Sequence, residues 1–198
     1  AGESPARSLT SSAYAAKYPA RIGKLILLAP AYLKNPIPKE DQERLQKDTL
    51  FPAFMNRPAV LQELNKYTLN RTYPPLSPQE ETAKSRINFA RRMLYGVSNW
   101  KRVTGGGALY KGNVFELTAK TYPAEGWNYI QDFGKHSYPV SIIVGDHDFL
   151  DFQNHIIKKW SGEVPRIKLH IVKNAEHLIW LDQPEQFEKQ LALHLKQN

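Results

Sequence analysis

Two short, unbroken apolar runs limit what this chain can fold into. Lys24-Leu-Ile-Leu-Leu-Ala-Pro30 follows Gly23, and Pro139-Val-Ser-Ile-Ile-Val144 runs into Gly145. Both are too short for a core helix and rich in branched side chains, so each predicts a strand buried on both faces of a parallel sheet. Parallel strands need crossover connections, and the chain supplies them. Ser8 to Lys17, Ala- and Ser-rich and closed by Tyr18-Pro19, predicts a helix before the first strand. Phe152 to Lys159 predicts a helix after the second strand. Arg166-Ile-Lys-Leu-His-Ile-Val172 alternates and so predicts a third strand nearer the sheet edge. Pro184 to Lys196 closes the chain as an amphipathic helix, with Phe187, Leu191 and Leu195 at helical spacing. This order predicts an α/β fold with an open, mostly parallel sheet.

The stretch from 34 to 135 is different in character: charged, proline-containing, and without a comparable buried strand. Ser77-Pro78-Gln79-Glu80 is a helix start, with a capping serine, a proline in the first turn and a glutamate three residues after the cap. The helix it opens is expected to reach Leu94, with Ile87, Ala90 and Leu94 on one side. Shorter helices are expected at Asp41–Leu50, Ala59–Tyr67, Val114–Lys120 and Ala124–Asp132. Gly105-Gly106-Gly107 lacks the lysine-serine pair and preceding strand of a phosphate loop, and reads as a connection.

Composition removes several functional classes. With 198 residues, 41% of them hydrophobic, the chain can bury a sizeable core. It has no cysteine, which excludes disulfides, thiolate metal sites and a cysteine nucleophile. The formal charge of +8 raises the question of nucleic acid, but the basic residues are dispersed along the chain and never run to four in a row. No nucleic-acid partner is expected. No apolar run could span a bilayer, no membrane partner is expected, and the N-terminus shows no secretory-leader pattern.

Chemistry concentrates after two strands. In an open parallel sheet, reactive side chains sit just beyond the C-terminal strand ends. Gly145-Asp146-His147-Asp148 follows one strand and Asn174-Ala175-Glu176-His177 the next. A carboxylate after one strand and a histidine after its neighbour can orient and charge-stabilise an imidazole. One such loop alone would read as ordinary solvated polar sequence; two in this order point to a site.

With these residues in view, the sequence resembles the α/β-hydrolase superfamily. Residues 139–148 look like the segment that delivers the catalytic acid, with Asp148 favoured over Asp146. Residues 174–187 look like the histidine loop and last helix, making His177 the base. Gly2-Glu3-Ser4-Pro5-Ala6 is similar to the Gly-x-Ser-x-Gly elbow, making Ser4 the nucleophile. The resemblance implies hydrolase core at 1–33 and 136–198 and a helical lid at 34–135, with the N-terminal strands missing from this stretch. By size and helical content the lid is most similar to proline-iminopeptidase-like members, whose lid carboxylates receive a free amine. Glu80, Glu81, Glu116 and Glu125 are candidates by composition, and solvated helix surface is the simpler reading of each. Trp100, Trp127 and Trp180 read as core or as pocket lining.

The implied activity is a serine hydrolase cleaving an ester or amide in a small-molecule or peptide substrate, without metal or organic cofactor. A complementary N-terminal half is an implied partner. Two features depart from the family pattern: one extra residue between Ser4 and Tyr18-Pro19, and Pro5, which has no N–H to give the oxyanion hole. Losing one such donor costs about 3–4 kcal/mol of transition-state stabilisation. Pro5 therefore keeps open a non-catalytic, hydrolase-like binding protein, and another carboxylic-ester hydrolase of the same fold also stays open.

Overall fold

The computed structural model describes residues 5–103, 120 and 122–196, with side chains from residue 9 onward. Helix α1 (Pro5–Lys17) leads through a 3-10 turn at Pro19–Arg21 into β1 (Leu25–Leu28). Then come β2 (Lys34–Asn35), α2 (Lys39–Lys47), α3 (Leu50–Met55), α4 (Pro58–Lys66) and α5 (Pro78–Met93). A 3-10 stretch at Val97–Arg102 follows; later come β3 (Trp127–Asn128), α6 (Tyr129–Gly134) and β4 (Val140–Gly145). The chain closes with α7 (His155–Gly162), β5 (Ile167–Val172), α8 (Ile179–Asp182) and α9 (Pro184–Lys196).

Strands β1, β4 and β5 form a parallel sheet with β4 in the middle. The central strand is buried at every position, because both edges are paired and both faces covered. Leu25, Leu27, Val140, Ile142 and Val144 face α1, α6 and α7, packing with Leu9, Ile130, Phe133, Ile156 and Trp160. Ile143, Val172 and Ala175 pack on the other face with Ile179 and Phe187 of α8 and α9. The expectation that β1 is buried on both faces needs correction. Leu25 and Leu27 are buried, but Ile26 and Leu28 are only half-buried, on the face shared with Phe187.

Four other expectations change in detail: the helix expected over Asp41–Leu50 ends at Lys47, and a separate α3 starts at Leu50. The helix expected over Ala124–Asp132 begins only at Tyr129. Asn128 caps it, accepting from Gln131 N–H, and Trp127 and Asn128 first pair antiparallel with Asn35 and Lys34. That pairing joins the two ends of the helical stretch and requires Gly126. Its φ is +85°, and a Cβ there would stand 1.9 Å from the Asn35 carbonyl oxygen. The helix expected from Phe152 starts at His155. Before it, Gln153 and Asn154 take left-handed φ values of 67° and 59°, while Asp151 accepts the N–H of Ile157 at 2.7 Å and Asn154 Nδ2 donates to Gly145 O at 2.8 Å. In α9, Leu195 is 64% exposed, and His194 is the residue that reaches the sheet. It shares a 2.9 Å hydrogen bond with Ser141 of β4 and packs edge-on against His170 of β5. The helix expected from Val114 and glycines 105–107 lie outside the described residues.

The helical stretch has its own core. Val60, Leu64, Ile87, Ala90, Leu94 and Trp100 pack together, and the Trp100 indole donates to the buried Glu63 carboxylate at 2.7 Å. The capping box at Ser77 and Glu80 is present in both directions. The Arg71 guanidinium and the Ser77 N–H hold the Glu80 carboxyl at about 2, so Glu80 is engaged in the helix start. Glu81 and Glu125 are exposed. Trp100 is core, and Trp127 and Trp180 pack at core margins.

Ser77→Ala should cost about 1 kcal/mol in urea unfolding, since one cap hydrogen bond disappears. His194 predicts a pH dependence. Burial, then His170, Lys168 and Lys24, lower its affinity for a proton below the ordinary 6.5. Its contribution is therefore complete above pH 6.5 and is lost as the pH falls through the folded-state value. The urea midpoint of the native chain should fall relative to that of His194→Gln between pH 7.5 and about pH 5.

Candidate active site

The site forms where the chain leaves β4 and β5. Beyond Gly145 the two exit loops stay bonded to each other. Asp146 N–H donates to Val172 O at 3.0 Å, His147 N–H donates to Ala175 O at 3.0 Å, and the Asp146 carboxylate accepts Ala175 N–H at 3.3 Å. Such contact needs a residue without a side chain at the crossing. A Cβ on Gly145 would stand 2.3 Å from Ala175 O and 2.4 Å from Glu176 O.

This arrangement brings Asp148 and His177 together. Asp148 Oδ2 accepts from His177 Nδ1 at 3.0 Å, and both residues are 4% exposed. Because Nδ1–H donates its hydrogen bond to the carboxylate, Nε2 carries the lone pair of the neutral ring. Asp148 Oδ1 accepts the N–H of Leu150 at 3.0 Å, which locks the carboxylate in place. The Phe149 ring meets the imidazole edge-on at 4.9 Å, and the Arg92 guanidinium of α5 lies over Phe149 at 4.6 Å. Asp146 does other work. Its carboxylate bridges His147, Ala175 and, at 3.7 Å, Lys173, so it joins the loops and leaves the imidazole to Asp148. Ser4 lies outside the described residues, as does Glu116.

Several residues around the pair were not singled out by the sequence. Glu176 is fully buried and accepts His177 N–H through Oε2 at 2.5 Å. Burial, reinforced by Asp148, raises its carboxyl well above the ordinary carboxylate value. Burial likewise raises Asp151. Tyr32, at the end of the β1 loop, donates to Leu150 O at 2.5 Å, and burial with Asp151 and Asp148 pushes its phenol up to about 12. Asp182 accepts from Tyr95, Gly96 and Glu176 N–H, tying the histidine loop to the end of α5. Arg57 donates to four carbonyls there, those of Phe54, Arg91, Leu94 and Tyr95. A signal for Glu176 was present, since it stands inside the histidine motif, but no periodicity marks an acid as buried.

His147, by contrast, faces Phe54, Tyr95 and Phe152 with ring centroids 5.0, 4.7 and 5.2 Å away. A cleft of about 520 Å³ opens between α2 and residues 151–155, and neither Asp148 nor His177 lines it. Among the described residues no three His, Asp or Glu side chains are grouped to hold a metal ion. No helix of the described residues is long and apolar enough to cross a membrane. Gly145→Ala should cost about 2–3 kcal/mol in urea unfolding, because the added methyl meets main-chain atoms that cannot rotate away.

No protein-family profile and no curated protein matches this chain. Solved structures do. A candidate aryl esterase from Burkholderia cenocepacia matches at a TM-score of 0.56 and 15% identity, over 96% of this chain and 60% of that one. An α/β-hydrolase enzyme from a Medee basin deep-sea metagenome library matches at 0.50 and 18%, over 98% of this chain and 63% of that one. The chain thus spans less than two thirds of their length. With its parallel sheet and helical layers matched over nearly all of its own length, this chain has the α/β-hydrolase fold.

Proposed function

We propose that the chain belongs to a serine hydrolase that cleaves carboxylic esters. The observation that carries this reading is the buried 3.0 Å contact between Asp148 and His177 at adjacent strand ends. In this reading Ser4 Oγ attacks the ester carbonyl and His177 Nε2 takes its proton. His177 then returns that proton to the leaving alkoxide, and a water repeats the cycle on the acyl-enzyme. Asp148 holds the ring in the productive tautomer and stabilises the imidazolium formed on the way. Residues 34–135 act as the lid beside Asp148 and His177, with 1–33 and 136–198 as the hydrolase core. The neighbours are longer, and we propose that strands corresponding to their extra length lie along the outer edge of β1, in the same polypeptide or a separate one.

An amine-binding, aminopeptidase-like substrate preference is the narrower version of this reading. It has less support, because Glu80 is committed to its helix cap and Arg71. A second reading is favoured by one observation: Pro5 gives no N–H beside Ser4. On that reading the protein binds a ligand in the hydrolase crevice and turns nothing over.

A fluorophosphonate probe and a p-nitrophenyl ester decide between the two. The hydrolase reading expects covalent labelling at Ser4, with Asp148→Asn lowering kcat about 10²–10⁴-fold and His177→Ala at least as much. Intact, folded protein that carries its complete fold and neither labels nor turns over ester would support the binding protein.

A further inference from the structure

Glu176 is the residue in the site whose chemistry the Ser4, His177 and Asp148 reading leaves unused. A fully enclosed glutamate is costly unless its oxygens are engaged. Oε2 accepts the main-chain N–H of His177 at 2.5 Å; Oε1 has no partner in hydrogen-bond geometry among the described residues, although the main-chain N–H of Phe149 also lies close enough to act on the carboxyl group. The main chain of Glu176 is itself fixed, donating to Asp182 Oδ2 at 3.0 Å. The charged groups that face it come from three elements: Asp148 from the acid loop, Asp182 from α8 and Arg57 from the start of α4. An apolar side chain of the same length would fill this space and leave the N–H of His177 without its acceptor.

We propose that Glu176 is a positioning residue for His177, fixing the main chain of the histidine with its carboxyl group while Asp148 fixes the ring. The imidazole is then held at two points and has one orientation. This proposal rests on the reading of His177 as the general base. The uncharged acid suits the role, and burial favours that form. It accepts the His177 N–H yet adds no second negative charge beside Asp148. Ionised, it would favour the imidazolium in the resting site and leave less of the neutral ring free to take a proton at neutral pH.

The test compares Glu176→Gln, which keeps an acceptor and a donor, with Glu176→Met, which keeps length and loses both. In protein carrying ¹⁵N-histidine, the Nδ1–H resonance of His177 reports the ring directly. E176Q should keep this resonance near its native position. E176M should shift or broaden it and speed its exchange with solvent, while amide signals away from the loop stay native. Ester turnover should follow: E176M lowers kcat about tenfold with KM within about twofold, the size of one lost hydrogen bond, and E176Q recovers most of it. If E176M does not fold, Glu176→Ala removes the acceptor without demanding room for a longer side chain and is read by the same resonance. A native His177 resonance in a folded variant without the acceptor overturns the proposal, as does its loss in folded E176Q. Native protein that neither labels nor turns over ester, but whose His177 resonance is disturbed in E176M, defeats the hydrolase reading and leaves the positioning role intact.

Discussion

The bare α-carbon at Gly145 is the constraint on which the site depends. Two parallel strands diverge after their last hydrogen bond unless something holds the exits together. Here the exits remain in main-chain contact, with carbonyl oxygens of Ala175 and Glu176 where a side chain would otherwise be. Asp146 then bridges from one exit to the other. Only because the loops are locked at this depth does the carboxyl group of Asp148 reach the ring of His177. Glycine contributes by what it lacks, and the cost of its backbone freedom is offset by the bonds that follow.

The loops also gather carboxyl groups in an enclosed region: Asp148, Asp151 and Glu176 are all buried. Three devices make this tolerable. Main-chain N–H groups of Leu150, Ile157 and His177 each point at one of these carboxylates. Tyr32 stays a neutral donor and turns its hydroxyl to a carbonyl. Burial also shifts Asp151 and Glu176 toward the protonated form, which lowers the charge to be accommodated. The acid that keeps its partner in the imidazole is Asp148. Similar side chains thus find different partners, an imidazole for one and main-chain N–H groups for the others, through their surroundings alone.

Much of this was legible in the sequence, and the reasons differ by element. Runs of branched apolar residues identified β1 and β4, and the serine–glutamate cap placed the start of α5, because these signals are local. Asp148 and His177 could be paired because parallel topology brings consecutive strand ends together. What escaped depends on contacts distant in sequence. The β2–β3 pair is two residues a side and exists only because the ends of the helical stretch meet. The kink at Gln153 and Asn154 is imposed by Gly145 and Asp151. His194 takes the buried place expected of Leu195 because Ser141, far away in the chain, offers it a hydrogen bond. Glu176 reads as a surface acid until the fold closes over it.

Leu178 belongs to the core of the helical stretch although it adjoins His177 in the chain, and its N–H donates to Met93 O at the end of α5. The histidine therefore has no independent suspension. Any shift of α5 would reach the peptide beside His177 before it reached the imidazole itself.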